Sequence, residues 1–339
     1  MPLFIERNDI TEMNVDAVVN SANEKLLPSS SGVNSIIHKK AGSKLAAELS
    51  KLSPIKRGEV VITKGYNLKA SYIIHTLGPV WEGGSKNESE ILYNCYKNSL
   101  ELAKKNRIKS IAFPLISSGV FGFPKDKALK IAESAIKNFL FDIEDDMLVY
   151  LAVFDKSSFK ISEELYKEVK EYISDNYADR YRETRRIYAQ RLSEVSYREM
   201  ASLPMQAPAE KASSKKQSLE DKLKKLDESF QEMLFRKIDE SGMKDSLVYK
   251  KANVDRKHFS KIKKDKYYHP KKETVLCFAI ALELSLKETE NMLKKAGYAL
   301  SESSMFDVIV RYFIENSKYD IIEINNTLFS FDQNLLTGN

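Results

Sequence analysis

The sequence predicts an α/β layered domain over residues 1–172 and an all-α domain over residues 220–339. In the first domain, short apolar runs alternate with amphipathic helical patterns, which is the order expected of a sheet with helices on both faces. From Leu219 onward the apolar pattern is helical. Between them, residues 173–219 form a charged helical stretch and then a segment rich in Pro, Ala, Ser and Lys, which is typical of a flexible linker.

The composition fits a soluble protein with real hydrophobic cores. Apolar residues make up 42% of the chain and charged residues 30%, and 54 Lys and Arg stand against 48 Asp and Glu. The net charge of +6 favours anionic partners only modestly. Cys95 and Cys277 are too few for a disulfide framework and are typical of a reducing compartment. With no signal pattern and no apolar run that could cross a bilayer, we expect a cytoplasmic protein without a membrane partner.

The elements of the first domain follow from two kinds of apolar pattern. Five runs have the apolar, β-branched character of buried strands: DAVVNSA, EVVITKG, SYIIHTLG, SIAFPLI and MLVYLAVFD. Four longer runs have the period of amphipathic helices: NSIIHKKAGSKLAAELSKL, SEILYNCYKNSLELAKKN, KDKALKIAESAIKNFL and SEELYKEVKEYISD. In a sheet of this kind a ligand binds at the carboxyl ends of the strands.

Two strand-loop-helix units of this domain share one chemistry. In the first, VNSAN ends a strand and PSSSGVN opens a helix, and in the second, FPLI ends a strand and SSGVFG precedes the helix at Pro124. Ser and Gly let backbone N–H groups converge on an anion, and a helix N-terminus adds a favourable dipole. The alternative is that Ser and Gly are present only because a tight turn between strand and helix favours them, without any ligand. Two such loops at strand ends nevertheless favour a clamp for a diphosphate.

The motifs NDIT, VDAVVNSAN, GYNLKASYIIHTLGPVW, SIAFPLISSGVFGFP and VFD occur together, in this order, within the first domain. In order and approximate spacing, residues 1–172 resemble a macrodomain, the family that binds ADP-ribose and related NAD-derived nucleotides. The resemblance implies a three-layer α/β/α sandwich with a mixed, mostly parallel sheet. It implies ADP-ribose or an ADP-ribosylated protein as the partner, and we expect neither a cofactor nor a metal.

Site residues are carried over from this resemblance. It implies that Asp9 accepts a hydrogen bond from the adenine amino group, that Phe154 stacks on adenine, and that Asn23 and Phe121 contact the distal ribose. An aromatic face suits base stacking and an amide suits sugar hydroxyls. The alternative is structural: Asp9 as a turn cap and the two aromatic residues as core. The predicted ligand-binding residues are Asp9, Ile10, Ala22, Asn23, Ser31, Gly32, Val33, Asn34, Ser117, Ser118, Gly119, Val120, Phe121 and Phe154.

The first loop departs from the pattern of hydrolytic macrodomains. Those enzymes typically carry a Val-Asp-Gly segment whose Asp helps to activate a water, and this sequence has Asn34 there. An amide cannot act as a general base, whose assistance typically supplies ~10²–10⁴-fold. His38, one turn further, is a candidate replacement base or an ordinary packed histidine, and His75 is predicted in the core. We expect binding rather than turnover, with a hydrolase that uses Asn23 and Asn34 as the alternative.

The second domain resembles the lambda-repressor/Cro-like helix-turn-helix fold over about residues 229–298. A helix and a tight turn precede the short helix DRKHFSKIKK, for which Asp255 is a plausible N-cap. Eleven Lys and Arg but only three Asp lie between residues 244 and 272, as phosphate contacts require. A solvated lysine-rich surface and a protein-interaction module are the alternatives. The nucleic-acid-binding residues implied are Arg256, Lys257, His258, Ser260 and Lys261.

The remaining tail is apolar and acidic, with DIIEIN as its one strand-like run. We expect it to pack back on the helical domain or to form a homodimer contact. The whole pattern predicts a protein that binds ADP-ribose and acts as a nucleotide-responsive regulatory or interaction protein, with DNA among its candidate partners. The alternatives are a mono-ADP-ribosyl hydrolase and a scaffold that docks on ADP-ribosylated partners.

Overall fold

The secondary structure is numbered here over the part of the chain that the computed structural model describes. Of the predicted charged stretch and linker, residues 173–219, only residues 173 and 174 are described, and they end a helix. The described residues are 3–6, 8–143, 147–153, 164–174, 228–265 and 268–336.

A mixed sheet forms the centre of the first domain, with the strand order β1-β6-β5-β2-β4-β3 in the described residues. Its strands are β1 (Leu3–Glu6), β2 (Ala17–Ser21), β3 (Val60–Lys64), β4 (Tyr72–Thr76), β5 (Ser110–Pro114) and β6 (Leu148–Ala152). Among the described strands, β3 and β4 alone pair in the antiparallel direction, so the mixed, mostly parallel sheet is confirmed. Strand β1 was not predicted, because its short run LFIE is too brief to show a period.

Helices cover both faces of this sheet. Residues that alternate along β2 point to opposite faces, so Val18 belongs to one hydrophobic cluster and Val19 to the other. The cluster of Val18 includes residues of the first two helices, and the cluster of Val19 includes residues of the other three. The helices are α1 (Gly32–Ala41), α2 (Ser43–Leu49), α3 (Glu88–Lys105), α4 (Lys125–Asp142) and α5 (164–174).

One helix was predicted across residues 34–52, and this was wrong. The segment forms two helices, α1 and α2, that are separated at Gly42. Gly42 has a φ of 88°, which side-chain-bearing residues rarely adopt, and a Cβ there would lie 3.0 Å from Nδ2 of Asn67. The apolar period continues across the break, which is why the sequence pattern did not reveal it.

The second half is all-α in its described residues. Its helices are α6 (Phe230–Ser241), α7 (Asp245–Lys251), α8 (Arg256–Lys264), α9 (Lys272–Ala281), α10 (Leu286–Lys295), α11 (Met305–Glu315) and α12 (Ile321–Ser330). The N-cap at Asp255 is confirmed, since its side chain accepts a hydrogen bond from the His258 amide. The strand-like reading of DIIEIN was wrong: Ile321, Ile324 and Leu328 are buried at helical spacing within α12.

The order of α7, a tight turn and α8 agrees with the predicted helix-turn-helix arrangement, whose family identity stays a prediction. The tail packs back within the chain, where Ile309 and Phe313 of α11 are fully buried. No described helix is long and apolar enough to cross a membrane.

The two halves pack against each other and share one continuous hydrophobic cluster. The Asn253 side chain accepts a hydrogen bond from the Leu3 amide at 2.8 Å and donates one to the Leu3 carbonyl at 2.9 Å. Nζ of Lys250 donates to the carbonyls of Phe141 and Ile143 at the end of α4. The sequence pattern did not predict this interface, because its partners lie more than 100 positions apart.

Candidate functional site

A cleft of about 380 Å³ lies at the carboxyl ends of β2, β5 and β6. This is where α/β sheets bind ligands, and the volume is in the range of small-molecule sites. We call it the strand-end cleft. Its lining residues are Ser21, Ala22, Asn23, Ser29, Ser30, Ser31, Gly32, Val33, Asn34, Pro114, Leu115, Ser117, Ser118, Gly119, Val120, Phe121, Lys125, Ala152 and Val153.

Two helices begin at the wall of this cleft, α1 at Gly32 and α4 at Lys125. Neither has a side-chain cap, because Ser31 and Pro124, which precede them, make no side-chain hydrogen bond to the first turn. The first N–H groups of a helix have no partner within it and carry the positive end of its dipole. The cleft therefore receives two uncapped helix N-termini, an arrangement that binds anions.

The second loop contributes a buried hydroxyl. Ser117 has a left-handed φ of 62° and is 4% exposed, and its Oγ has no hydrogen-bond partner in the structure. Gly78 leaves room for this hydroxyl, because a Cβ at Gly78 would lie only 2.1 Å from that Oγ. Ser117 lines the cleft, but its Oγ is buried against Gly78. At the rim, the apolar Val120 side chain is 83% exposed.

The first loop is held from within by Asn34. Its Oδ1 accepts from Nδ2 of Asn20 at 2.8 Å, and its Nδ2 donates to the Leu27 carbonyl at 2.9 Å and to Oγ of Ser29 at 3.0 Å. The residue is only 5% exposed. The carboxamide therefore fixes the conformation of residues 27–34 and already has protein partners for both of its polar atoms.

A neutral histidine lies behind this asparagine network. Nδ1 of His75 accepts from Nδ2 of Asn20 at 3.1 Å, which leaves the ring proton on Nε2 to bond Oγ1 of Thr63 at 3.0 Å. Burial, and to a smaller extent the charge of His38, lowers the pKa of His75 to about 3. Burial also lowers the pKa of His38. Neither histidine lines the cleft, and His75 is a core residue as predicted.

Asn23 lies in the cleft and also organises the loop after β2. Its Oδ1 accepts from the Leu27 amide at 3.0 Å, and its Nδ2 donates to the Leu27 carbonyl at 2.7 Å. The second proton on Nδ2 and the second lone pair of Oδ1 stay available to a sugar hydroxyl.

Asp9 and Ile10 are not among the lining residues of the cleft. Oδ1 of Asp9 accepts from the Thr11 amide at 2.9 Å and caps a 3₁₀ turn, Ile10–Glu12, while Lys40 approaches Oδ2 to 3.1 Å. Partial burial opposes ionisation of Asp9, but the bonds from Thr11 and Lys40 hold its pKa below the usual range. Phe154 lies outside the described residues. The adenine contacts of these three residues stay predictions.

The structure thus brings eleven of the fourteen predicted ligand-binding residues together around one cleft. Lys125 was not predicted from the sequence, although its position at the start of the helix after the second loop could have indicated it. Among the described residues that line the cleft, Lys125 is the single cation and none is Asp or Glu. Also missed were Ser21, Ser29, Ser30, Pro114, Leu115, Ala152 and Val153.

The residues predicted to bind nucleic acid lie elsewhere. Arg256, Lys257, His258 and Lys261 of α8 line a second cleft of about 1130 Å³, which the first domain closes on its other side. Ser260 is half-buried and is not among its lining residues.

Comparison with known proteins identifies the first half. The Macro domain profile matches residues 19–132. A Macro domain-containing protein of Methanosarcina mazei is 50% identical over 165 residues, which cover 47% of this chain and 88% of that protein. The chain belongs to the macrodomain family. The predicted resemblance of its first half is confirmed.

Two further macrodomain relatives name a ligand or an activity. Human ADP-ribose glycohydrolase MACROD2 is 44% identical over 171 residues, which cover 50% of this chain and 39% of that protein. The Trypanosoma brucei macrodomain, solved in complex with ADP-ribose, is 36% identical with a TM-score of 0.43, covering 47% of this chain and 66% of that chain.

Proposed function

We propose that this macrodomain binds ADP-ribose, free or attached to a protein, and releases it from protein slowly or not at all. One observation carries the binding: two uncapped helix N-termini begin at one cleft in which no described lining residue is acidic. Two adjacent phosphates need this combination of N–H donors and absent negative charge. The ligand class itself comes from the family.

The orientation of the ligand follows from the ends of the cleft. Asn23 at the end of β2 takes the distal ribose, and the diphosphate lies between the loops at residues 31–34 and 117–120. The adenine then lies beyond Val153, toward Asp9 and Phe154. In this proposal Phe154 stacks on the base and Asp9 accepts its amino group, using the lone pairs that Thr11 and Lys40 leave.

Slow turnover is supported by the hydrogen bonds of Asn34. A residue that orients an attacking water must offer it an accessible polar atom. Asn34 is only 5% exposed, and both protons of its Nδ2 are bonded, to Leu27 and Ser29, while its Oδ1 accepts from Asn20. Hydrolysis is the second candidate function, because the 44% identical human relative is named a glycohydrolase. In that case Asn23 positions the ribose and a substrate phosphate activates the water.

The helical half is proposed to respond to the nucleotide or to dock the protein on ADP-ribosylated partners. The contact between the halves supports a response, since α4 begins at the strand-end cleft and its far end accepts hydrogen bonds from Lys250. If saturating ADP-ribose leaves both the oligomeric state and the nucleic-acid affinity of the full chain unchanged, a regulatory role is excluded.

The binding test is titration calorimetry of the full chain with ADP-ribose, AMP and ribose 5-phosphate. We expect ADP-ribose to bind at least about 100-fold more tightly than AMP or ribose 5-phosphate, because only the whole ligand spans both loops. Equal affinity for AMP and ADP-ribose would mean that the two loops do not bind a diphosphate.

The hydrolysis test is the release of ADP-ribose from a mono-ADP-ribosylated protein by the wild type and by Asn34→Asp. The variant places a carboxylate oxygen beside the Leu27 carbonyl, so we expect lower stability and no gain of activity. Complete release by the wild type within minutes would establish the hydrolase instead.

A further inference from the structure

The second cleft lies at the opposite ends of the same three strands. Asp16 precedes β2, Ser110 begins β5 and Leu148 begins β6, and all three line it together with the first turns of α8. We call it the basic groove. It is formed by both halves of the chain, so neither half provides it alone.

Six cationic side chains line the basic groove in the part of the chain that the structure describes. The first domain supplies Lys104, Arg107 and Lys109, and the helical half supplies Arg256, Lys257 and Lys261. All six residues are exposed. None of them forms an ion pair with a carboxylate in the described part of the chain, whereas many other lysines of the protein do. Unpaired cations that converge on one groove repel one another until an anion enters.

The two carboxylates among the described lining residues of the groove accept hydrogen bonds from the backbone. Oδ2 of Asp16 accepts from the Lys109 amide at 2.8 Å and from the Ser110 amide at 3.0 Å. Oδ1 of Asp255 accepts from the His258 amide at 2.7 Å as the cap of α8. Among the described lining residues, six cations and two carboxylates give a net charge of +4, with His258 left out of the count.

The walls of the groove limit the shape of an anionic ligand. A recognition helix reads duplex DNA by entering a major groove about 12 Å wide, which an α-helix fills. The first turns of α8 instead face the macrodomain across the basic groove, so that wall stands opposite the surface that would have to enter a major groove. A single strand is thinner and fits between two walls.

The length of the groove favours a polymer over a compact anion. It adjoins a second hollow of about 630 Å³ along α3 and α4, and the two share Lys104 and Ile143 as lining residues. The partly exposed ring of Tyr268, with Nζ of Lys261 5.1 Å from its centroid, adds an aromatic surface beside the cations. Proteins that bind single strands without sequence preference combine cationic tracks with aromatic surfaces in this way.

We propose that the basic groove binds single-stranded nucleic acid, with its phosphates on the cations of both the macrodomain and α8. The inference does not rest on ADP-ribose binding, because it uses no residue of the strand-end cleft. It changes the role predicted for α8, from base reading in a duplex to one wall of a single-strand track.

The test is fluorescence anisotropy of the full chain with labelled dT15, U15 and a duplex of 15 base pairs at 50 mM salt. We expect both single strands to bind at least about tenfold more tightly than the duplex. The affinity for them should fall with salt at a log–log slope of about −4, which is about −0.7 for each of six phosphate contacts. The comparison of dT15 with U15 shows whether DNA or RNA is preferred.

The decisive variant reverses two cations of the macrodomain wall, Lys104→Glu with Arg107→Glu. The matched control is Lys287→Glu with Lys294→Glu, which changes the net charge equally on α10, away from the groove. We expect the groove variant to lose at least about tenfold in single-strand affinity and the control to lose less than about twofold.

Equal losses in the two variants would show that only the overall charge attracts nucleic acid, and would overturn the site. Tighter binding of the duplex would overturn the single-strand assignment. ADP-ribose titration of the groove variant checks folding, since that site lies at the other ends of the strands and should be unchanged.

Discussion

The strand-end cleft and the basic groove lie at opposite ends of β2, β5 and β6 and attract anions by different means. In the cleft, the anion-binding groups are backbone N–H groups, fixed in place at the starts of α1 and α4. In the groove, they are long, exposed lysine and arginine side chains. Fixed donors suit one ligand of defined shape, whereas mobile cations suit a chain of phosphates in many registers.

Salt gives the largest expected difference between the two sites. Between 50 and 200 mM salt, we expect the single-strand affinity of the basic groove to fall about 100-fold or more, because six phosphate contacts release counterions. Over the same range we expect ADP-ribose affinity to fall less than about threefold, since its site has one lining cation. Anisotropy and calorimetry on the same samples check both values. If the two affinities depended equally on salt, the two sites would not differ in how they attract anions.

Gly119→Glu should inactivate only the strand-end cleft. A Cβ at Gly119 meets nothing within 4 Å, so the variant should fold, but its carboxylate faces the diphosphate. We expect a loss of about 100-fold in ADP-ribose affinity by calorimetry, from like-charge repulsion. Gly119→Ala is the control for the added Cβ and should bind within about threefold of wild type. A loss of single-strand binding in Gly119→Glu would contradict the independence of the two sites.

Asn253→Ala should weaken the junction that forms the groove. It leaves the buried N–H and carbonyl of Leu3 without partners, which we expect to cost about 2 kcal/mol in the free energy of unfolding. Urea denaturation measures this loss. The control is Lys251→Ala, which removes only an exposed pair with Glu283 and should cost under about 0.5 kcal/mol. Equal losses in the two variants would show that the bonds to Leu3 do not hold the halves together.

The smallest expected effect is a pH dependence at the contact of α4 with α12. The pKa of Glu133 is raised from 4.5 to about 7, chiefly by burial. Asp320 also acts to raise it, while a bond from Asn326 and the charges of Lys137 and Lys130 act to lower it. Since its folded-state pKa is the higher one, stability falls as the pH rises from about 4.5 through about 7.

Glu133→Gln should remove this slope while keeping an acceptor for Asn326. We expect wild type to lose about 1 kcal/mol relative to the variant between pH 5 and pH 8, after screening by solvent at this partly exposed site. Urea midpoints of both proteins at the two pH values measure this loss. If the stability of the two proteins changed equally with pH, Glu133 would not be the group responsible.

Local patterns made part of this structure predictable. Strands β2 to β6 follow from apolar, β-branched runs. The cap at Asp255 follows from its residue type, because an aspartate side chain readily accepts a hydrogen bond from the N–H three positions later. The two loops of the strand-end cleft were also identified, because each lies next to its own strand and helix.

Features set by distant partners were not predictable. The inward orientation of Asn34 depends on Asn20 of β2, 14 positions earlier, and neither a strand period nor a helix period links the two residues. The basic groove joins Lys104 to Arg256, and the pattern around each residue reads as an ordinary solvated helix surface. Gly42 broke a helix whose apolar period continues without interruption.

The bond between Asn253 and Leu3 has a further consequence for how the molecule behaves in a crowded solution. Strand β1 is the last strand on its side of the sheet, with β6 as its only neighbour in the described residues. Its outward N–H and carbonyl at Leu3 are the groups to which a strand of another molecule would add, and such edges are sites of aggregation. The Asn253 carboxamide occupies both, as a backbone amide would. The helical half therefore covers this edge at Leu3 and prevents a strand of another molecule from pairing with it there.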